Sequence, residues 1–271
     1  MKWRFSQLYP FCTILTGIVL WQIGYVILSR TALFKTFAID LFLASPWQIV
    51  LKFGELMATG ELITHSYASF LEFFYGFLFA IVVGIPLGVL MAKIKKINYY
   101  LDPWVASIYA TPRVALAPVI VIWFGLGIFS KALIVFLGAV FPILLNTYTG
   151  IKNVRENLIE VVKSFGGSPM QVFFKVMIPD AIPAIITGLR LAVGRAVIGV
   201  VVAEWFGAEA GIGLMVYMYS QVFQPAPVFV GIVVLIVFGY LAFVLLEYVQ
   251  GWVSPWYQYQ VEKEVEGMER E

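Results

Sequence analysis

Six stretches of this 271-residue chain run for about twenty residues or more with almost no charged side chain, and that spacing constrains the fold more than any motif does. About 20 predominantly apolar residues cross the hydrocarbon core of a bilayer as a helix, and an ionised side chain in mid-span is costly. Residues 5–29, 73–92 and 132–151 carry no Asp, Glu, Lys or Arg. Residues 103–130 carry only Arg113, and residues 181–203 carry only Arg190 and Arg195. The last run, 210–246, is charge-free over 37 residues, too long for one helix and too short for two. Gly211 and Gly213 open it, and Pro225 and Pro227 interrupt it. This predicts a short interfacial or re-entrant segment followed by a span from about 228 to 246, with any non-helical backbone sheltered by protein or water. The runs are too continuous for barrel strands, which alternate over about ten residues. The expectation is an all-α integral membrane protein with six transmembrane helices.

Composition agrees. The chain is 61% hydrophobic and 13% charged, with a mean hydropathy of +0.91. Soluble domains run at about 45–50% apolar and about 25% charged, so an ordinary soluble enzyme, a disordered chain and a secreted disulfide scaffold are excluded. A net charge of +2 gives no argument for nucleic acid. One Cys and one His allow neither an intrachain disulfide nor a Cys/His cluster for zinc, haem or iron–sulfur. Cys12 is expected to face lipid or pack within the first span. His65 is expected in the loop before the second span, at the surface or interface. Lys2 and Arg4 ahead of an apolar run resemble a secretory signal, but the run is long. No small-x-small cleavage site follows around Ser29, Arg30 and Thr31. It reads as an uncleaved first span.

Lys and Arg outside the spans set the orientation. With the N-terminus inside, eleven fall in the cytoplasm: Lys2, Arg4, Lys93, Lys95, Lys96, Lys152, Arg155, Lys163, Lys175, Lys263 and Arg270. Four fall outside: Arg30, Lys35, Lys52 and Lys131. This predicts N-in and C-in. Trp252, Trp256, Tyr257 and Tyr259 form an expected interfacial aromatic belt ahead of an acidic tail.

The most informative stretch, 155–179, lies between spans. Leu158, Val161, Val162 and Phe165 fall at i, i+3, i+4 and i+7, and so do Met170, Phe173, Phe174 and Met177. Gly166 and Gly167 end the first set. Ser168, Pro169 and Gln171 then match an N-cap, N1 and N3 of a capping box. Two short amphipathic helices at a sharp angle follow. On spacing alone they either lie on lipid or present a helix to a cytoplasmic partner.

Here Glu160-Val161-Val162, three residues, Gly166, nine residues, then Val176-Met177-Ile178-Pro179 resembles the EAA loop of ABC importer permeases. Glu, Gly and Pro match the family spacing, and valines replace its two alanines. Gly188-Leu189-Arg190, Gly194-Arg195-Ala196, Val202-Ala203-Glu204, Thr111-Pro112-Arg113 and Trp123-Phe124-Gly125 look like the nitrate, sulfonate and taurine branch. The resemblance covers about residues 60–250 and implies a type I importer permease-like fold in the inner membrane. It also implies a paired pathway (homodimer or two permeases) and two cytoplasmic ATPase subunits docked on 155–179 through Glu160, Val161, Val162, Gly166, Gly167, Ser168 and Pro179. An extracytoplasmic protein would deliver solute. No cofactor is expected on this chain, since ATP and Mg would belong to the ATPase, and no G-x-x-x-x-G-K-[ST] segment is present. Glu160 could cap, pair with Lys163 or meet the ATPase. The implied organisation is an N-terminal span and outer loop over 1–59, a permease core over 60–250 and an acidic tail over 251–271.

The intramembrane arginines carry the substrate expectation. Arg113 lies about 12 residues into the third run, roughly 18 Å deep at 1.5 Å per residue. Arg195 lies at similar depth, and Arg190 roughly 10 Å in. Glu72, Asp102, Glu204 and Glu247 are expected near a membrane face, poorly placed to neutralise them. Two readings stand: an electropositive pathway for a small anionic solute, or arginines bonding exposed backbone carbonyls. Gly188, Gly194 and Gly199 are expected to permit close helix approach. A permease for a small heterocycle such as a vitamin precursor is the alternative within the family. An ion-gradient-driven secondary transporter is the alternative outside it, although no internal repeat is visible. A membrane enzyme lacks any visible catalytic constellation.

Overall fold

The computed structural model describes residues 8–31 and 38–256. Lys2, Arg4, Lys35, Lys263, Arg270, Tyr257, Tyr259 and the acidic tail beyond them lie outside the described residues. In chain order the helices are α1 (Leu8–Ser29), α2 (Pro46–Ala58), α3 (Glu61–Lys93), α4 (Lys95–Ala110), α5 (Arg113–Phe124), α6 (Ile128–Lys152) and α7 (Glu156–Ser164). There follow α8 (Pro169–Val172), a π-helical turn (Phe173–Met177), α9 (Ile178–Trp205), α10 (Ile212–Gln221) and α11 (Pro225–Val253). Among the described residues five helices are long and apolar enough to cross a membrane, six when α4 and α5 count as one bent span. The charge-free runs therefore located the spans. The third run is the exception to a straight reading. It is bent by 95° between α4 and α5, where Thr111 and Pro112 leave the helical region. Proline disfavours the α conformation at the residue before it, and Thr111 is extended (ψ 135°), which ends α4 there. The straight-helix depth for Arg113 does not apply, because Arg113 is the first residue of α5.

The chain forms two compact units, residues 1–69 with 209–236, and residues 70–208 with 237–271. In the first, Ser45 starts α2 with a complete capping box to Gln48, and Pro46 occupies the first turn. Ile49, Leu56, Leu62, Ile212, Met215 and Val230 make its core. The ten-residue α10 is the short segment expected ahead of the last span. Its first amides are held by side chains of α3: Gly211 N–H donates to His65 Nδ1 at 2.9 Å, and Ile212 N–H to Ser69 Oγ at 2.8 Å. His65 is thus a helical residue that caps a neighbouring helix, not a loop residue. Orphaned N–H groups at a helix start need such partners.

In the second unit α6 is the most enclosed span, and it pairs lengthwise with α9. Small residues bring the two backbones together. A Cβ on Gly188 would lie 2.7 Å from Asn146 Cβ and 2.9 Å from Pro142 O. One on Gly199 would lie 3.1 Å from Val135 Cα. One on Gly138 would lie 3.0 Å from Arg195 O. Gly194 differs from the expectation: nothing lies within 4 Å of its would-be Cβ. The glycines at 188 and 199 face α6, and a residue six positions from one and five from the other falls on another face of a 3.6-residue helix. At the other extreme, α1 buries none of its apolar window and α11 little. Their exposed Ile, Leu, Val and Phe side chains are the surface that a bilayer would cover.

Replacing Gly188 by Leu should destabilise the protein by roughly 1–3 kcal/mol through overpacking against α6, whereas Gly194→Ala should leave it unchanged. Thermal unfolding of both variants in detergent checks this. Equal melting temperatures for the two would contradict the packing described.

Candidate functional site

Two places bring the sequence-selected residues together. The first is the segment between α6 and α9. Gly166 has φ +76°, a left-handed conformation that glycine adopts without a Cβ penalty. It turns the chain sharply after α7. Gly167 is required for a different reason: a Cβ there would meet Val162 Cγ1 at 2.5 Å and Val162 O at 2.7 Å. Ser168 then opens α8 with both bonds of the capping box. Gln171 N–H donates to Ser168 Oγ at 3.3 Å, and Ser168 N–H donates to Gln171 Oε1 at 2.8 Å.

The second amphipathic helix is not separate, as the spacing had suggested. From Pro169 the chain continues without a break to Trp205. The π turn over Phe173–Met177 lies just before Pro179. Proline at 179 cannot donate and crowds the carbonyl four residues earlier, and a wider π turn is one way a helix accommodates that. Phe173 is buried under the ammonium of Lys93, 4.4 Å from the ring centroid. Phe165 (89% exposed), Val161, Met170 and Phe174 point outward. Glu160 is exposed and pairs with no described cation, Lys163 included. A tie that sequence reading missed joins the two ends of the segment: Arg155 Nη2 to Asp180 Oδ1 at 3.1 Å. The two are 25 residues apart, and only the fold brings them together.

The second place is a cavity of about 310 Å³ beside the α4–α5 bend. Tyr109, Thr111, Arg113, Gly138, Arg195 and Ile198 line it. It therefore unites Arg113 and Arg195, which are 82 positions apart in the sequence. Neither guanidinium pairs with a described carboxylate. Arg190 lies elsewhere: its Nη2 donates to Gln250 Oε1 of α11 at 2.7 Å, and its guanidinium faces the Phe243 ring.

Arg113 has a second engagement. Its Nη1 donates to the carbonyls of Gly138 at 3.1 Å and Leu137 at 3.3 Å. Pro142, inside α6, has no N–H to give to the carbonyl four residues before it, which is that of Gly138. Arg113 supplies the missing donor. Arg113 thus bonds a carbonyl that lacks its helical amide, as the second reading had it, and it also lines the cavity.

The acidic side chains also need correction. Glu72 (2% exposed) and Glu204 (0%) are buried inside the protein, as is Lys131 (3%), which the topology count had placed in an outer loop. Lys131 Nζ donates to Leu126 O and to Gly127 O. A count by charge alone assigns every lysine between spans to water, and Lys131 lies one turn inside α6.

Residues 84–255 match the family described as the inner membrane component of binding-protein-dependent transport systems. A putative aliphatic sulfonates transport permease of Bacillus subtilis (strain 168) is 36% identical over 83% of this chain and 78% of its own length. The chain belongs to this permease family. A formylaminopyrimidine transport permease of Halalkalibacterium halodurans is 32% identical over 94% of this permease and 98% of its own length. Among solved structures, the MetNI methionine ABC transporter in an inward-facing conformation shares the fold. Its TM-score is 0.58 at 20% identity, covering 69% of the permease and 93% of that chain. The permease is a multi-pass inner-membrane subunit of an ABC importer, which sets aside the ion-gradient-driven carrier.

If Arg113 satisfies the carbonyl that Pro142 frees, the two residues are energetically coupled. Arg113→Met should cost about 1–3 kcal/mol in the native background, the penalty of an unsatisfied buried carbonyl. In a Pro142→Ala background, where the backbone amide restored at position 142 takes over that carbonyl, the same change should cost at least about 0.5 kcal/mol less, a coupling of the size contacting residues show. A double-mutant cycle by thermal unfolding measures it, and strict additivity would refute the pairing.

Proposed function

We propose that this permease forms the membrane pathway for a small anionic solute and works as one of a pair, either with itself or with a second permease. Two cytoplasmic ATPase subunits would dock on α7 and α8, and an extracytoplasmic binding protein would deliver the solute, with both termini of the permease in the cytoplasm. The observation that carries the substrate class is the cavity lined by two arginines that no described carboxylate neutralises. An arginine on a membrane-spanning helix is costly unless something shares its charge, and guanidinium presents a planar fork suited to oxyanions. About 310 Å³ is room for a small molecule. The sulfonates named for the Bacillus relative are anions of that size. The formylaminopyrimidine named for the Halalkalibacterium relative favours a second reading, a small heterocycle recognised against Tyr109.

The docking role is supported by exposed Phe165, Val161, Met170 and Phe174 on a segment whose turn is fixed by Gly166 and Gly167. An exposed aromatic at the tip of a rigid segment is a poor surface for water and a good one for a protein pocket. ATP and Mg would bind the ATPase, and this chain would contribute the lever. Motion at α7 and α8 has a continuous path into α9, which carries Arg195 into the cavity wall.

Arg195 is the cleaner probe of the pathway, because Arg113 also bonds α6. With a sulfonate as the test solute, Arg195→Gln should lower flux roughly tenfold, a loss of the order of one charged hydrogen bond, and Arg195→Lys should restore part of it. Transport of a neutral heterocycle should change little. Unaltered sulfonate uptake in Arg195→Gln would refute the anionic pathway.

Phe165→Asp should abolish co-purification of the ATPase and reduce uptake to background. Its melting temperature should stay within the small range of an exposed substitution, about 0.5 kcal/mol. An ATPase that still co-purifies in full would refute the docking surface.

A further inference from the structure

In the first unit, α2 has a surface that neither the spans nor the proposed transport cycle uses. Its 13 residues are too few to cross a bilayer. At 3.6 residues per turn its side chains fall into three sectors. Ile49 and Leu56 are buried in the core of the unit. Gln48, Lys52 and Glu55 form a polar strip, and the Lys52–Glu55 pair at 2.7 Å leaves that strip without net charge. Phe53, Met57, Val50, Trp47 and Leu51 follow one another round the remaining arc, with Gly54 among them, and all five are exposed, Trp47 by 62%. A surface helix of a soluble protein has one apolar stripe, which the core covers. α2 has two apolar sectors, and the protein covers one of them.

The depth of α2 follows from its tie to α1. Trp47 N–H, one of the amides that a helix start leaves without an intrahelical partner, donates to Gln22 Oε1 of α1 at 3.1 Å. The neighbouring Trp21 packs against the core that holds Ile49 and Leu56, and its ring meets that of Phe229 at 5.4 Å. Gln22 lies eight positions before Arg30, the first charge after the charge-free run of α1. That separation is roughly 12 Å at 1.5 Å per residue, whereas the headgroup layer on each side of a bilayer is about 5–7 Å thick. A helix tied to α1 at this level starts at the boundary between headgroups and acyl chains. There α1 itself exposes Ile18, Ile23 and Val26.

We propose that α2 is an interfacial helix and that its partner is lipid. It lies in the surface of the bilayer leaflet at which α1 ends and α3 begins, with the polar strip toward water and the exposed arc among the upper acyl chains. Trp47 is its anchor, since an indole is favoured at this depth, and partial burial of an apolar face is how such helices are held. Because the strip has no net charge, the attraction comes from apolar area and not from anionic headgroups. The inference depends on the chain being a membrane protein and on nothing about its solute.

Cys12 is the one cysteine of the chain, so Cys12→Ala provides a background for spin labels. In the full chain in phosphatidylcholine nanodiscs, labels on Gly54→Cys and Leu51→Cys report on the arc, and a label on Glu55→Cys reports on the strip. Nothing lies within 4 Å of a Cβ at Gly54, so that site accepts a side chain without repacking. Labels at 51 and 54 should collide more with oxygen, which concentrates in acyl chains, than with a water-soluble nickel chelate. The label at 55 should show the reverse preference. Nickel-accessible labels at both arc sites would place the arc in water and overturn the proposal. Protection of both from oxygen and nickel alike, or their immobilisation when the binding protein and ATPases are added, would assign the arc to a protein partner and overturn it as well.

Discussion

A helix that takes proline into a bilayer leaves a carbonyl without its amide, and no water is there to replace it. Much of this protein is arranged around that constraint. Pro86, Pro103, Pro118, Pro142 and Pro183 all lie inside helices. Side chains one turn on from three of them bond the proline's own carbonyl rather than the one it orphans: Ser107 Oγ to Pro103 O, Asn146 Nδ2 to Pro142 O and Thr187 Oγ1 to Pro183 O. Of the carbonyls four residues before these prolines, that of Gly138 has a described side-chain donor, which comes from another helix and carries a full charge. That choice places a guanidinium in the wall of a cavity, so backbone satisfaction and the electropositive site have one cause.

The same helix pair links the cavity to the docking segment. From its first residue α9 runs 28 residues, roughly 42 Å at 1.5 Å per residue, and α8 and the π turn extend it toward the docking turn. Glycine contacts at 188 and 199 keep it against α6 with little side-chain volume between. Interfaces of small residues let helices approach closely and slide with few interlocking side chains to disengage. The Arg155–Asp180 pair marks one end of this helix and buried Glu204 the other, and Arg195 lies between those ends.

Much of this was legible in the sequence, and the failures have physical reasons. The spans were legible because the bilayer penalises charge more strongly than it rewards any particular packing. The capping box at Ser168 and the turn at Gly166 were legible because they depend on residues a few positions apart. The 95° bend was not, because proline can start, kink or end a helix, and the pattern alone does not choose among these. Nor was the continuity of α8 with α9, since a π turn has no sequence periodicity of its own. Gly194 was grouped with Gly188 and Gly199 by spacing, but one side of a helix packs and another faces open space. The pairing of Arg113 with Gly138 lies wholly in long-range contacts, and so does the burial of Glu72 and Glu204. A charge count along the chain assumed that each ionised group finds water.

The distribution of charge inside the second unit follows from who neutralises whom. Arg190 is answered by the Gln250 amide and an aromatic face, which hold a guanidinium without cancelling its charge. Lys131 is buried and answered by the carbonyls of Leu126 and Gly127. Arg113 is answered by neutral carbonyls alone, and Arg195 by no described carboxylate. Had Glu72 or Glu204 faced the cavity, the arginines would have been neutralised and a solute anion would have had to displace a built-in one. Burying these carboxyls away from the cavity lining leaves the positive charge there without a described counter-ion.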